Sequence, residues 1–210
     1  MQRITLVITI IIAACHASLA APAVFQDHNF SIEFPSDWQI LNPPPDQTLA
    51  AAQTIDGLKT LLVIAAKLPA SELSAASRDM IAGAKQSAID KGWQITNEHE
   101  TSVSGVPFHA FTTRVSARAS IITYVGLAGD EGYMLQGMCK ESDASSDAEV
   151  TGAINSFRLL SPRNPPAETS RPNSTAYRTG YIFGQVLFLA IIGTGIVWVI
   201  RWVKNKRGKV

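Results

Sequence analysis

Apolar and polar side chains alternate through Phe30-Ser31-Ile32-Glu33-Phe34, the period of a half-buried strand. Pro35-Ser36-Asp37 turns this strand, and Trp38-Gln39-Ile40 resumes the pattern. Pro43, Pro44 and Pro45 cannot donate backbone hydrogen bonds and mark a loop. Segments 49–55 and 58–66 flank Asp56-Gly57, a pair suited to a tight hairpin turn. Leu61-Leu62-Val63-Ile64 is wholly apolar, which predicts a central strand covered on both faces. Over 72–91 the period lengthens. Leu73, Ala76, Met80, Ala84 and Ala88 form a helical stripe, with Ser71 placed to cap it and Gly92 to end it.

Period-two patterns then predict four strands over 93–100, 108–116, 119–127 and 133–139, with breaks at Gly105-Val-Pro107 and Gly129-Asp-Glu-Gly132. The last three of these strands are expected to form a meander. Ser146 and Glu149 have capping-box spacing, and Val150, Ala153, Ile154 and Phe157 follow as the buried stripe of a second helix.

The two ends of the chain depart from this pattern. Arg3 followed by an apolar run to Ala14 and by Ser18-Leu19-Ala20 describes a cleaved export signal over 1–20, with Ala23 as a second cleavage position. Ile12-Ala13-Ala14-Cys15 resembles a bacterial lipobox, which makes Cys15 a candidate for lipidation. Segment 181–200 carries no charge and a single strongly polar residue, Gln185. Twenty residues at about 1.5 Å each reach about 30 Å, the thickness of a bilayer core. A transmembrane helix is therefore expected over 179–200, preceded by a Pro/Ser-rich stalk over 161–178. Gly180 and Gly184 have small-xxx-small spacing, so Gly180, Gly184 and Gln185 are candidate helix contacts and offer a homodimer through this helix.

Charge sharpens this arrangement. Of 210 residues, 17% are charged, below the usual quarter. Segment 21–178 holds 12 Lys or Arg against 17 Asp or Glu, a net of −5, whereas 201–210 holds five basic residues and no acid. A basic tail directly after an apolar helix marks the cytoplasmic side. The expected localisation is the bacterial inner membrane, single-pass, with the N-terminal domain periplasmic and the C-terminus cytoplasmic. An acidic domain argues against nucleic acid as a partner. The partners expected are another membrane or periplasmic protein and the lipid bilayer.

FSIEFPSDW at 30–38, the central helix, the Gly-Tyr-Met-Leu strand at 132–135 and the closing helix with Ala153-Ile-Asn-Ser-Phe157-Arg158 together resemble the PsbP/Mog1-like domain. The resemblance covers about 25–160. It implies an α+β fold, an antiparallel sheet sandwiched by helices, and a scaffold that mainly binds partners. With the ends added, the chain reads as a bacterial, exported, membrane-anchored member of that family.

Catalytic signatures are missing from the sequence. His28, His99 and His109 lack the short spacings of a zinc cluster. The acidic run Glu141, Asp143, Asp147 and Glu149 lacks the loop positions of a calcium site. Cys139 falls in a strand and reads as a small core hydrophobe, or, if exposed, as a link between two chains. No cofactor, metal or catalytic residue is expected. The expected function is a non-enzymatic, membrane-anchored periplasmic accessory protein that aids assembly or stability of a membrane complex. The alternatives are a small-ligand or lipid binder, with Ala76, Ala84 and Ala88 leaving room, and a hydrolase.

Overall fold

A computed structural model of the protein describes residues 23–42, 44 and 48–161. The elements run β1 (Ala23–Phe25), a 3-10 turn (Gln26–His28), β2 (Phe30–Ile32), β3 (Gln39–Ile40), β4 (Ala50–Gln53), β5 (Lys59–Lys67), α1 (Leu73–Asp90), β6 (Gln94–Val103), β7 (Val106–Arg114), β8 (Ser120–Ala128), β9 (Glu131–Cys139), α2 (Ala148–Asn155) and β10 (Arg158–Leu159). Seven strands form one antiparallel sheet in the order β3-β4-β5-β9-β8-β7-β6, and β1-β2-β10 form a second, small one. The expected meander gains a fourth strand, β6, and β9 then pairs with β5 at the sheet centre.

The hairpin before β5 closes as its sequence requires. Gly57 has φ +68, and the Asp56 carboxylate accepts from Thr54 Oγ1 at 2.6 Å and from the Leu58 amide at 2.9 Å. Leu61 through Ile64 are fully buried. Every residue of β8 and β9 is buried, because both faces of the sheet centre are covered.

Two glycines of β9 show how. A Cβ on Gly132 would lie 2.5 Å from Met80 Sδ of α1, and one on Gly137 would run into Val150 of α2. The two positions are five apart, so their side-chain directions point to opposite faces. One helix therefore lies on each face. Beneath α1 sit Ile64, Phe111, Val125 and Met134. Under α2 and the small sheet lie Phe30, Leu61, Leu135, Tyr133, Ile154 and Phe157. Phe157 stands 5.3 Å from the Tyr133 ring, 5.5 Å from Phe30 and 5.8 Å from Phe108, tying the small sheet to the large one.

Helix ends differ from expectation. Glu72, not Ser71, is the N-cap of α1, with no side-chain cap bond. Asp147 replaces Ser146 as the cap of α2, accepting from the Glu149 and Val150 amides. Its carboxylate reaches both N–H groups and also meets Lys59 at 2.9 Å, which also pairs with Glu149 at 2.8 Å. Lys59 on β5 thus clamps the N-terminus of α2 through charges complementary to its dipole.

The fold class is corrected to an α+β fold, an antiparallel sheet flanked by two helices, with no transmembrane helix among the described residues. Among the described residues no helix is long and apolar enough to cross a membrane. α1 has 18 residues but carries Arg78, Asp79, Lys85 and Asp90, and α2 has only eight residues. The described residues therefore give no support to the expected bilayer contact, the single-pass inner-membrane topology or the homodimer through a membrane helix. The membrane-anchored periplasmic role is withdrawn with them. The segments on which those expectations fell, 1–20, 162–178, 179–200 and 201–210, lie outside the described residues.

Candidate functional site

Three polar constellations stand out against this apolar frame. The first gathers where the 3-10 turn meets the start of β9. Glu131 falls in the predicted break yet is the first residue of β9 and fully buried. Its Oε1 lies 2.5 Å from His28 Nδ1. The Tyr133 hydroxyl lies 2.9 Å from the His28 carbonyl oxygen and 3.2 Å from Glu131 Oε2. Asn29 follows His28 at φ 54, and its side chain bonds Ser161, so both ends of the described chain converge here. A histidine oriented by a buried carboxylate has the form of a general base with its orienting partner. No hydroxyl or thiol among the described residues bonds its second ring nitrogen.

The second constellation arises from a bulge. The register of β6 against β7 slips between Thr96 and His99, and Asn97 takes φ 51. Glu98 and Glu100 then both reach His109 on β7, at 2.8 Å to Nε2 and 2.6 Å to Nδ1. Glu98 also meets Lys85 of α1 at 2.6 Å. The hydrogen bond from Lys85 holds the Glu98 carboxyl below its usual range. His109, which the sequence places in a strand without a role, is thus the centre of a hydrogen-bonded bracket joining α1, β6 and β7. His99 is left at the exposed edge, with its Nδ1 against the Asn97 carbonyl.

The third is a cavity of about 220 Å³ at the end of β7 and β8, bounded by the β6 bulge, the β7–β8 turn and the loop after β9. Arg114, Arg118, Asn97, Thr112, Ser116 and Asp143 contribute to its lining. Arg114 pairs with Ser120 across β7 and β8, on the face that α2 covers further along. Nothing in the linear sequence announces this cavity, since its walls come from three separated segments.

Cys139 is a core residue, 1% exposed, and burial pushes its thiol up to about 11, so it is not a reactive nucleophile. Among the described residues no group of three or more His, Cys, Asp or Glu could hold a metal ion. The predicted Cys15, Gly180, Gly184 and Gln185 lie outside the described residues.

No protein-family model matches the chain, and no curated protein matches it. Solved structures do. The solution structure of cyanobacterial PsbP (CyanoP) from Synechocystis sp. PCC 6803 superimposes with a TM-score of 0.50 at 12% identity, covering 70% of this chain and 95% of that one. A crystal structure from Bacteroides thetaiotaomicron VPI-5482 reaches a TM-score of 0.44 at 12% identity, covering 62% of this chain and 45% of that one. Membership of an exported, membrane-anchored branch of the PsbP/Mog1-like family is therefore corrected to a weak, partial likeness, one of fold alone.

Proposed function

We propose that the chain is a non-enzymatic accessory domain that works by binding another protein. The observation that supports this reading is the condition of its reactive side chains. Cys139 is buried, His109 is bracketed by two glutamates, and His28 is tied to a buried glutamate with no nucleophile bonded beside it among the described residues. Each such group is spent on holding the fold, as expected of a scaffold rather than an active site. The PsbP-like architecture agrees, since the sequence resemblance implies a partner-binding scaffold.

A lipid site between α1 and the sheet is disfavoured. Met80 is fully buried there and reaches Gly132, and Ala76 and Ala84 are buried with it, so the space left by small residues is filled. The test is photo-crosslinking in intact cells from exposed positions of the full chain, Gln94, Ser102 and Ile55 among them. A single recurrent partner protein is the expected result. Absence of any recurrent partner, or a turnover activity that depends on His28, would sink the proposal.

A further inference from the structure

The cavity at the end of β7 and β8 brings two arginines together with hydroxyl and amide side chains. Arg114 and Arg118 are both exposed lining residues, and neither guanidinium forms an ion pair among the described residues. Asn97 is held at φ 51 by the β6 bulge, which turns the strand out of register at the rim. Bulges commonly re-aim a side chain beside a binding site. Ser116 Oγ accepts from the Ala119 amide at 3.0 Å and the Arg118 amide at 3.3 Å, which fixes the turn and leaves its own O–H to donate. One carboxylate, Asp143, shares the cavity. Its Oδ1 already accepts from the Ser145 amide at 2.9 Å and the Ser145 hydroxyl at 2.7 Å. Those bonds keep it ionised, and Arg114 adds to the effect. Two guanidinium groups against one engaged carboxylate leave a net positive pocket lined mainly by donors.

We propose that this pocket is an oxyanion site for a phosphate group. Arginine matches phosphate geometry through paired N–H bonds, and hydroxyl and amide donors complete such a site. A cavity of about 220 Å³ is below the size of pockets that enclose a drug-sized ligand, roughly 300–1,000 Å³. It suits free phosphate or the head of a phosphate ester. This assignment goes beyond the partner-binding reading and does not depend on it.

The test follows backbone amide shifts of the full chain by NMR while inorganic phosphate, and separately O-phosphoserine, replaces chloride at constant ionic strength. Saturable shifts centred on 96–97, 112–120 and 142–143 are expected. Tighter binding of inorganic phosphate assigns the free anion, and tighter binding of O-phosphoserine assigns an esterified group. R114Q/R118Q should weaken either at least tenfold, and R114K/R118K, which keeps the charge but loses the fork, should weaken it several-fold. Lys67→Gln, at the far end of β5, should change nothing. Linear, unsaturable shifts, or binding unchanged in both arginine double variants, overturn the proposal.

Discussion

Placing a methyl group on Gly137 tests how firmly α2 is pressed against the sheet. The new Cβ would occupy the space of Val150 Cγ1 and come to 3.4 Å from Ile122 Cγ2 and Ile154 Cδ1. Val150 is fully buried and β-branched, so it cannot swing aside. Either the eight-residue helix lifts or its side chains leave their rotamers, and such overpacking costs about 1–3 kcal/mol. Replacing glycine returns about 0.4–1 kcal/mol through the unfolded chain. The net expectation for Gly137→Ala is a loss of about 1–2 kcal/mol. Gly132→Ala is the internal control. Its Cβ meets the Sδ and Cε of Met80, the flexible end of a long side chain, and should cost less than about 1 kcal/mol. Urea unfolding followed by tryptophan fluorescence reads the difference, where 1.5 kcal/mol moves the midpoint by about 0.5–1.5 M. Val150→Ala should cost roughly 1–3 kcal/mol alone, yet combining it with Gly137→Ala should recover at least about 1 kcal/mol relative to the sum. Equal losses at Gly132 and Gly137, or strict additivity of the double variant, would refute a close contact between β9 and α2.

Thr60→Val should stabilise the protein by about 1 kcal/mol, because Thr60 is 4% exposed and its Oγ1 has no hydrogen-bond partner; a loss of stability in the same urea titration would contradict this. His28→Ala removes the nearest partner of a fully buried carboxylate and should cost about 2–3 kcal/mol, discounted for the partial exposure of the histidine. Adding Glu131→Gln to it should restore part of that loss, and a further loss on adding it would reject the pairing. At Asp147, burial pushes the carboxyl pKa up, but the hydrogen bond from Lys59 and the Val150 amide outweigh it and hold it below 3.8. The folded pKa lies under the unfolded one, so this stability is complete above about pH 4 and disappears as pH falls through the lowered value. Lys59→Met should therefore be less stable than wild type at pH 6 and converge with it near pH 2, and a gap independent of pH would show that the clamp is not electrostatic.

Much of the frame could be read directly from residue spacing. Leu73, Ala76, Met80 and Ala84 mark α1, and Val150, Ala153 and Ile154 mark α2, because burying one helix face leaves a period that survives any tertiary detail. Strand centres such as Leu61–Ile64 were equally plain. Features that depend on two distant segments meeting were not. Glu131 looks like a turn residue until His28 is brought to it from 103 positions away. His109 acquires two carboxylates only through a one-step slip of β6, which no alternation pattern reveals. Asp147 outcompetes Ser146 as a cap because Lys59 favours a carboxylate at that position. The two- and three-residue strands β1, β3 and β10 are too short to show a period, and the arginine cavity has no local signature.

The small sheet sets a timetable for synthesis. Its middle strand, β2, is made early, but one of its two neighbours, β10, is among the last described residues to be translated, and Asn29 bonds Ser161 across 132 positions. Phe30 cannot stack on Phe157 until nearly the whole domain has emerged. Until then Phe30 has only Phe25 and Tyr133 as ring partners. Closure of the β2–β10 pair is the late step, and a nascent chain stalled before Phe157 should remain open to protease at its N-terminal strands while β5 to β9 are already protected.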